Sequence, residues 1–115
     1  MARRPFVPDR GDIVWLQFNP QAGHEQASHR PALVVSPKSY NQKTGLALMC
    51  PITSKIKGYP FEVVLPDGLE VRGAVLSDQI KNLDWRIRQA KRICEAPASV
   101  TNEVTAKLRV LIDDT

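Results

Sequence analysis

Short apolar runs of strand length, cut apart by turn-forming residues, constrain this chain more than any other feature. DIVWLQF (12–18), PALVVS (31–36) and LALMCPI (46–52) are nearly continuous apolar runs. The first has β-branched and aromatic residues on both faces, as in a buried sheet or a barrel. PKSYNQKTG (37–45) carries Pro, Asn and Gly and reads as a loop or one helical turn. FEVVL (61–65) and GAVLS (73–77) are two more strands, with a hairpin signal at Asp67-Gly68 between them. RIRQAKRI (86–93) alternates apolar or small residues with charged and polar ones, the pattern of an exposed strand. Only the end changes period. In SVTNEVTAKLRVLI (99–112), Val100, Val104, Leu108, Leu111 and Ile112 form one helical stripe, with start signals at Pro97 and Ser99. These patterns predict a small antiparallel β-barrel with a C-terminal α-helix packed on it.

A chain of 115 residues, 43% hydrophobic, suits one domain, 1–115, with a core of its own. A domain this small gains from burial against a second subunit, and the apolar strands and helix stripe exceed what one barrel holds. The net charge of +4, from 16 Lys/Arg against 12 Asp/Glu, is compatible with a polyanionic partner and equally with an ordinary surface. Cys50 and Cys94 have no zinc spacing, and Cys50 lies in an apolar run, where a cysteine is a small buried hydrophobe. Two cysteines are also too few for a disulfide scaffold, so the expected setting is reducing and cytoplasmic. The two arginines of MARRPFVPDRGD have no apolar segment behind them, unlike a secretory signal, and no run approaches a membrane span.

Three polar stretches interrupt the strands. GHEQASHRP (23–31) gathers two histidines, a glutamate, a glutamine, a serine and an arginine. PITSKIKGYP (51–60) puts a Thr-Ser pair and two lysines directly after a buried strand, and LSDQIK (76–81) ends another strand on an acid–amide pair. Loops at strand ends are where β scaffolds build sites. Metal ligation is a poor fit, because His24 and His29 lack a third ligand at a convincing spacing. There is no nucleophile elbow and no glycine-rich phosphate loop.

RNA cleavage without a metal or cofactor fits these residue types better. RNA carries its own nucleophile, the 2′-hydroxyl, and needs a base, an acid for the leaving oxygen, and donors for the charge on phosphorus. Glu25 or a histidine is a candidate base, Arg30 a phosphate clamp, and Thr53 or Ser54 a phosphoryl hydrogen-bond donor. Trp15, Phe18 and Tyr40 are candidate base-stacking rings. Each has a duller reading: solvated loop charges, turn-capping hydroxyls, or core aromatics.

VPDRGDIVWLQFNPQAGHEQASHRPALVVSP, YNQKTGLALMCPITSKIKGYPFEVVLP and GAVLSDQIKNLDWR together resemble the MazF/PemK family of toxin endoribonucleases. The likeness runs from about residue 7 to 112, with the GD, EQxxHRPA, KGYPFEV and LxDQ motifs in the family's order. It implies a small SH3-like antiparallel barrel with a C-terminal helix, acting as a homodimer. It implies metal-independent cleavage of single-stranded RNA, leaving 2′,3′-cyclic phosphate and 5′-hydroxyl ends. It implies a MazE-like antitoxin whose acidic C-terminal tail lies over the toxin, with operator DNA contacted only through that complex. Carried onto this chain, the catalytic set is Glu25, Arg30 and Thr53, with Phe18, His29, Ser54, Lys57 and Gln79 as RNA contacts. A guanidinium releases its proton too reluctantly to be a good acid, so anion clamping is the firmer role for Arg30. A carboxylate such as Glu25 is a weak base unless partly buried. His24 stands where relatives can have serine, so the cleavage sequence does not transfer. The rival from the same architecture is a non-catalytic toxin that grips DNA gyrase, as CcdB does; a second is an inactive chain that binds only antitoxin and operator DNA.

Overall fold

The structure, a computed structural model, describes residues 6–18 and 29–113. Glu25 and His24 therefore lie outside the described residues. The elements run β1 (Asp12–Gln17), β2 (His29–Val34), α1 (Lys38–Thr44), β3 (Leu46–Thr53), β4 (Glu62–Val64), β5 (Ala74–Leu76), a 3-10 turn (Ser77–Gln79), β6 (Lys81–Asp84), β7 (Lys91–Glu95) and α2 (Ala98–Ile112). The fold is mainly β with a C-terminal helix, and every described strand pair is antiparallel. The strands pair in the order β4-β5-β3-β2-β1-β7, with β6 also on β3. The expected barrel is thus not a closed one: among the described residues this ladder does not return on itself.

The apolar runs are continuous because the sheet is buried on both faces. Ile13, Leu33, Cys50 and Ile52 point to one cluster, with Val100, Val104 and Leu108 of α2 packed over it. Val14, Leu16, Ala32, Val34, Ala47 and Met49 point the other way, to a cluster with Leu83 and Trp85. Strand alternation assigns each neighbour to the opposite core.

Three expectations need correction. PKSYNQKTG, read as a loop or one helical turn, holds a seven-residue α-helix of about two turns, with Pro37 before its first residue and Gly45, at φ 74°, ending it. Asn41 anchors that helix from a fully buried position. Its Nδ2 donates to the Pro8 and Ser36 carbonyls, and its Oδ1 accepts from the Ser36 hydroxyl. RIRQAKRI is a strand only from Lys91, because the Asp84 carboxylate accepts the Arg86 and Ile87 N–H groups and starts a turn first. The helical stripe ends at Leu108: Leu111 and Ile112 are exposed. Asp67-Gly68 does lie between β4 and β5, in a longer connection than a two-residue hairpin.

Cys50 has the buried-hydrophobe role expected of it, and burial pushes its thiol from 9.0 up to about 12. The folded state therefore favours the protonated thiol. Its contribution to stability is complete below pH 9 and is lost as pH rises toward 12. Denaturant titrations between these limits should show stability falling, and Cys50→Ala should flatten that decline. An equally steep decline in the variant would remove Cys50 as its cause.

Candidate active site

Alternation places the polar residues as firmly as the apolar ones. Val14 and Leu16 face the second core, and Phe18 follows them on that face and packs against the same cluster. Ala32 and Val34 put Arg30 on that face too, and Met49 does the same for Pro51 and Thr53. Ala32 pairs with Pro51 and Leu33 with Cys50. The same register carried two residues onward sets Arg30 across from Thr53. Phe18, Arg30 and Thr53 thus meet where the second core runs out and the sheet face opens to water.

Three depressions share walls there. One of about 340 Å³ is lined by Arg30, Ile52, Thr53, Ser54 and Lys55. A second, about 250 Å³, lies between Phe18, Arg30, Pro51, Gln79 and Lys81. A third, about 120 Å³, adds Lys57, Tyr59 and Glu62 to Thr53, Lys55 and Gln79. Gln79 reaches this surface through a break in the strand that flanks β3. Val75 pairs with Ile52 and Lys81 with Met49, so five residues, 76–80, oppose only two on β3. The surplus is taken up by the 3-10 turn, which turns Gln79 toward the clefts.

The local bonding leaves the right groups available for an anion. The Lys55 N–H donates to Thr53 Oγ1 at 3.1 Å, and among the described residues no acceptor takes the hydroxyl's own proton, which leaves it available for donation. The Arg30 guanidinium is exposed and has no ion-pair partner among the described residues. Arg88 fixes the end of β1 by donating to the Gln17 and Phe18 carbonyls. The site is a cationic shelf with the hydroxyls of Thr53, Ser54 and Tyr59, the Gln79 amide and the rings of Phe18 and Tyr59.

Of the residues singled out in the sequence, Phe18, Arg30, Thr53, Ser54, Lys57 and Gln79 come together here. His29 does not. It precedes Arg30 by one residue and so takes the other face, where its ring stacks on Trp15 with centroids 6.0 Å apart. Trp15 belongs with that second surface. Tyr40 is on α1, its hydroxyl accepting from Asn82 Nδ2. Lys55, Tyr59, Glu62 and Lys81 line the clefts without having been named as site residues; for the first three, position within the motif SKIKGYPFE was the available signal. Among the described residues no three His, Cys, Asp or Glu side chains gather as metal ligands would.

A mainly-β sheet with a cationic, hydroxyl-bearing shelf at one end is the form of a small polyanion-handling domain. Residues 9–112 match the family described as PemK-like, MazF-like toxin of type II toxin–antitoxin system, and the chain belongs to that family. It is 49% identical over 107 residues to the endoribonuclease toxin MazF of Escherichia coli K12, covering 93% of this chain and 96% of that protein. Its fold matches a crystal structure of MazF from Deinococcus radiodurans with a TM-score of 0.86 and 57% identity, over 95% of this chain and 99% of that one. A MazE-MazF crystal structure from the same organism matches at TM-score 0.86 and 50% identity, over 96% of this chain and 100% of that one.

Proposed function

We propose that this chain is an endoribonuclease toxin of a type II toxin–antitoxin system that cuts single-stranded RNA, messenger RNA above all, and so arrests translation and growth. One observation carries the mechanism: Arg30 and Thr53 flank a single open cleft, a cation beside a hydroxyl with its proton to give. A phosphodiester lying there meets a planar fork and a hydrogen-bond donor. The RNA 2′-oxygen attacks phosphorus as Glu25 takes its proton. The bond to the 5′-oxygen breaks, and that oxygen takes a proton from solvent water, while Glu25 returns the 2′-proton to solvent to complete the cycle. The products are a 2′,3′-cyclic phosphate and a 5′-hydroxyl, with no metal or cofactor needed. Phe18 stacks a base, while Ser54, Lys57 and Gln79 contact the strand on either side. His29 would join only if RNA wraps onto the Trp15 face.

The MazE-MazF structures support a MazE-like antitoxin as partner. An acidic tail of that antitoxin would suit the cationic shelf, and operator DNA would be met only through the complex. No described helix is long and apolar enough to cross a membrane, and we place the protein in the cytoplasm. We also propose a homodimer, supported by the apolar side chains left exposed at Val64, Val110, Leu111 and Ile112; sedimentation as a monomer at micromolar concentration would contradict it.

The test is incubation of the purified chain with a long unstructured RNA in excess EDTA. Discrete fragments are expected, with gyrase supercoiling of plasmid DNA unaffected. Intact RNA together with blocked supercoiling would favour the gyrase-gripping alternative, and neither effect would leave an inactive antitoxin-binding chain.

A further inference from the structure

Glu62 is only 8% exposed, yet no cation pairs with it among the described residues. A buried carboxylate is costly unless donors replace its water. Here the donors are peptide groups of the segment leading up to it. Oε1 accepts the Gly58 N–H at 2.8 Å and the Lys57 N–H at 3.1 Å, and Oε2 accepts the Lys57 N–H at 3.2 Å. The Glu62 N–H itself donates to the Tyr59 carbonyl at 3.0 Å. Residues 57–62 thus wrap around one charged group. Gly58 takes the left-handed φ of 79° that the wrap needs. The Tyr59 hydroxyl, bonded to Asp78, ties this loop to the turn carrying Gln79.

We propose that Glu62 is a positioning residue for RNA binding: its carboxylate fixes the Lys57 backbone so that the Lys57 side chain lines the cleft beside Thr53. The inference rests on the reading of this surface as the RNA site. The Glu62 carboxylate bonds to the loop, whereas its strand is held by backbone pairing with Leu76. Loss of the carboxylate should therefore loosen the loop and leave the sheet intact. Charge-assisted bonds to a carboxylate are roughly twice as strong as neutral ones, so the charge matters as well as the shape.

The experiment is a cycle of Glu62→Gln, Lys57→Ala and the double variant in the full-length protein. Its substrate is a short single-stranded RNA spanning one mapped cut. Glutamine keeps the size, but sets an amide N–H donor against the Lys57 N–H. Glu62→Gln should raise KM about 10-fold with kcat changed by less than about 2-fold, as expected for lost ground-state binding. The slope of log kcat/KM against log salt should flatten by about one, as for one lost phosphate contact. In the Lys57→Ala background the same substitution should change KM by less than about 2-fold, because coupled residues are not additive. A purely structural role would lower Tm yet give additive effects and an unchanged salt slope, and that result overturns the proposal. A silent Lys57→Ala overturns it too, while leaving the Arg30 and Thr53 reading in place. Wild-type protein that cuts no RNA at all would instead overturn the RNA reading on which the proposal stands.

Discussion

Arg30→Ala should slow RNA cleavage by roughly 10³-fold while leaving the protein folded. The size of the loss follows from what the side chain would do. Attack of a 2′-oxygen places extra negative charge on the phosphoryl oxygens, and removing one preorganised donor from such a site costs about 10²–10³ in rate. Arg30 supplies a full charge and two donors in one plane, which puts the expectation at the upper end. Lys55 lines the same cleft, but a flexible ammonium cannot reproduce the bidentate geometry. Arg30→Lys should accordingly recover only part of the activity. Folding should hardly notice either change. Arg30 is exposed, it lies at the start of β2, and no described side chain forms an ion pair with it, so stability should move by about 0.5 kcal/mol or less. Cleavage by Arg30→Ala at the wild-type rate would remove Arg30 from the reaction.

The second large effect falls on a residue with no side chain. Gly73 has φ of 127°, and a Cβ built on it would sit 2.0 Å from the Thr53 carbonyl oxygen and 2.9 Å from the carbonyl carbon. Both obstacles are backbone, so no rotamer change can relieve them. Gly73→Ala must push β5 away from β3 where Ala74 pairs with Thr53. Backbone strain plus overpacking should cost roughly 3 kcal/mol or more, which for a domain of this size lowers Tm by more than roughly 10 °C. The displaced strand end carries Thr53, so the surviving folded fraction should also cut RNA more slowly. Thermal unfolding together with cleavage normalised to folded protein separates the two effects. Wild-type Tm in Gly73→Ala would show that the two strands can part without cost.

Much of this site was legible in the sequence, and the gaps have physical reasons. The three long apolar runs announced strands because both faces of the sheet are buried, which leaves no room for polar alternation. α1 showed only as a loop or one helical turn because its one buried residue is Asn41, held by hydrogen bonds instead of an apolar stripe. Pro37 and Gly45, which read as loop punctuation, are its boundaries. Residue types and motif likeness single out Arg30, Thr53, Lys57 and Gln79, but only the register of β2, β3 and β5 puts them on one shelf. His29 shows the limit of reading by proximity in sequence. One residue from Arg30 along a strand is the other side of the sheet. Glu62 showed only as a member of the SKIKGYPFE motif, because a buried carboxylate satisfied by peptide N–H groups has neither a partner charge nor a period to betray its role.

On this account the RNA's own 2′-hydroxyl is the nucleophile, with Arg30 and Thr53 holding the phosphate. The most direct measurement is the chemistry of the cut ends, taken on an RNA cleaved by wild-type protein in excess EDTA. The 3′ end should carry a 2′,3′-cyclic phosphate and the 5′ end a free hydroxyl, and a single 2′-deoxy nucleotide placed 5′ to the scissile phosphate should abolish that cut. A 3′-hydroxyl with a 5′-phosphate, or undiminished cutting at the deoxy position, would mean that water or a protein group attacks phosphorus, and would contradict the 2′-hydroxyl mechanism.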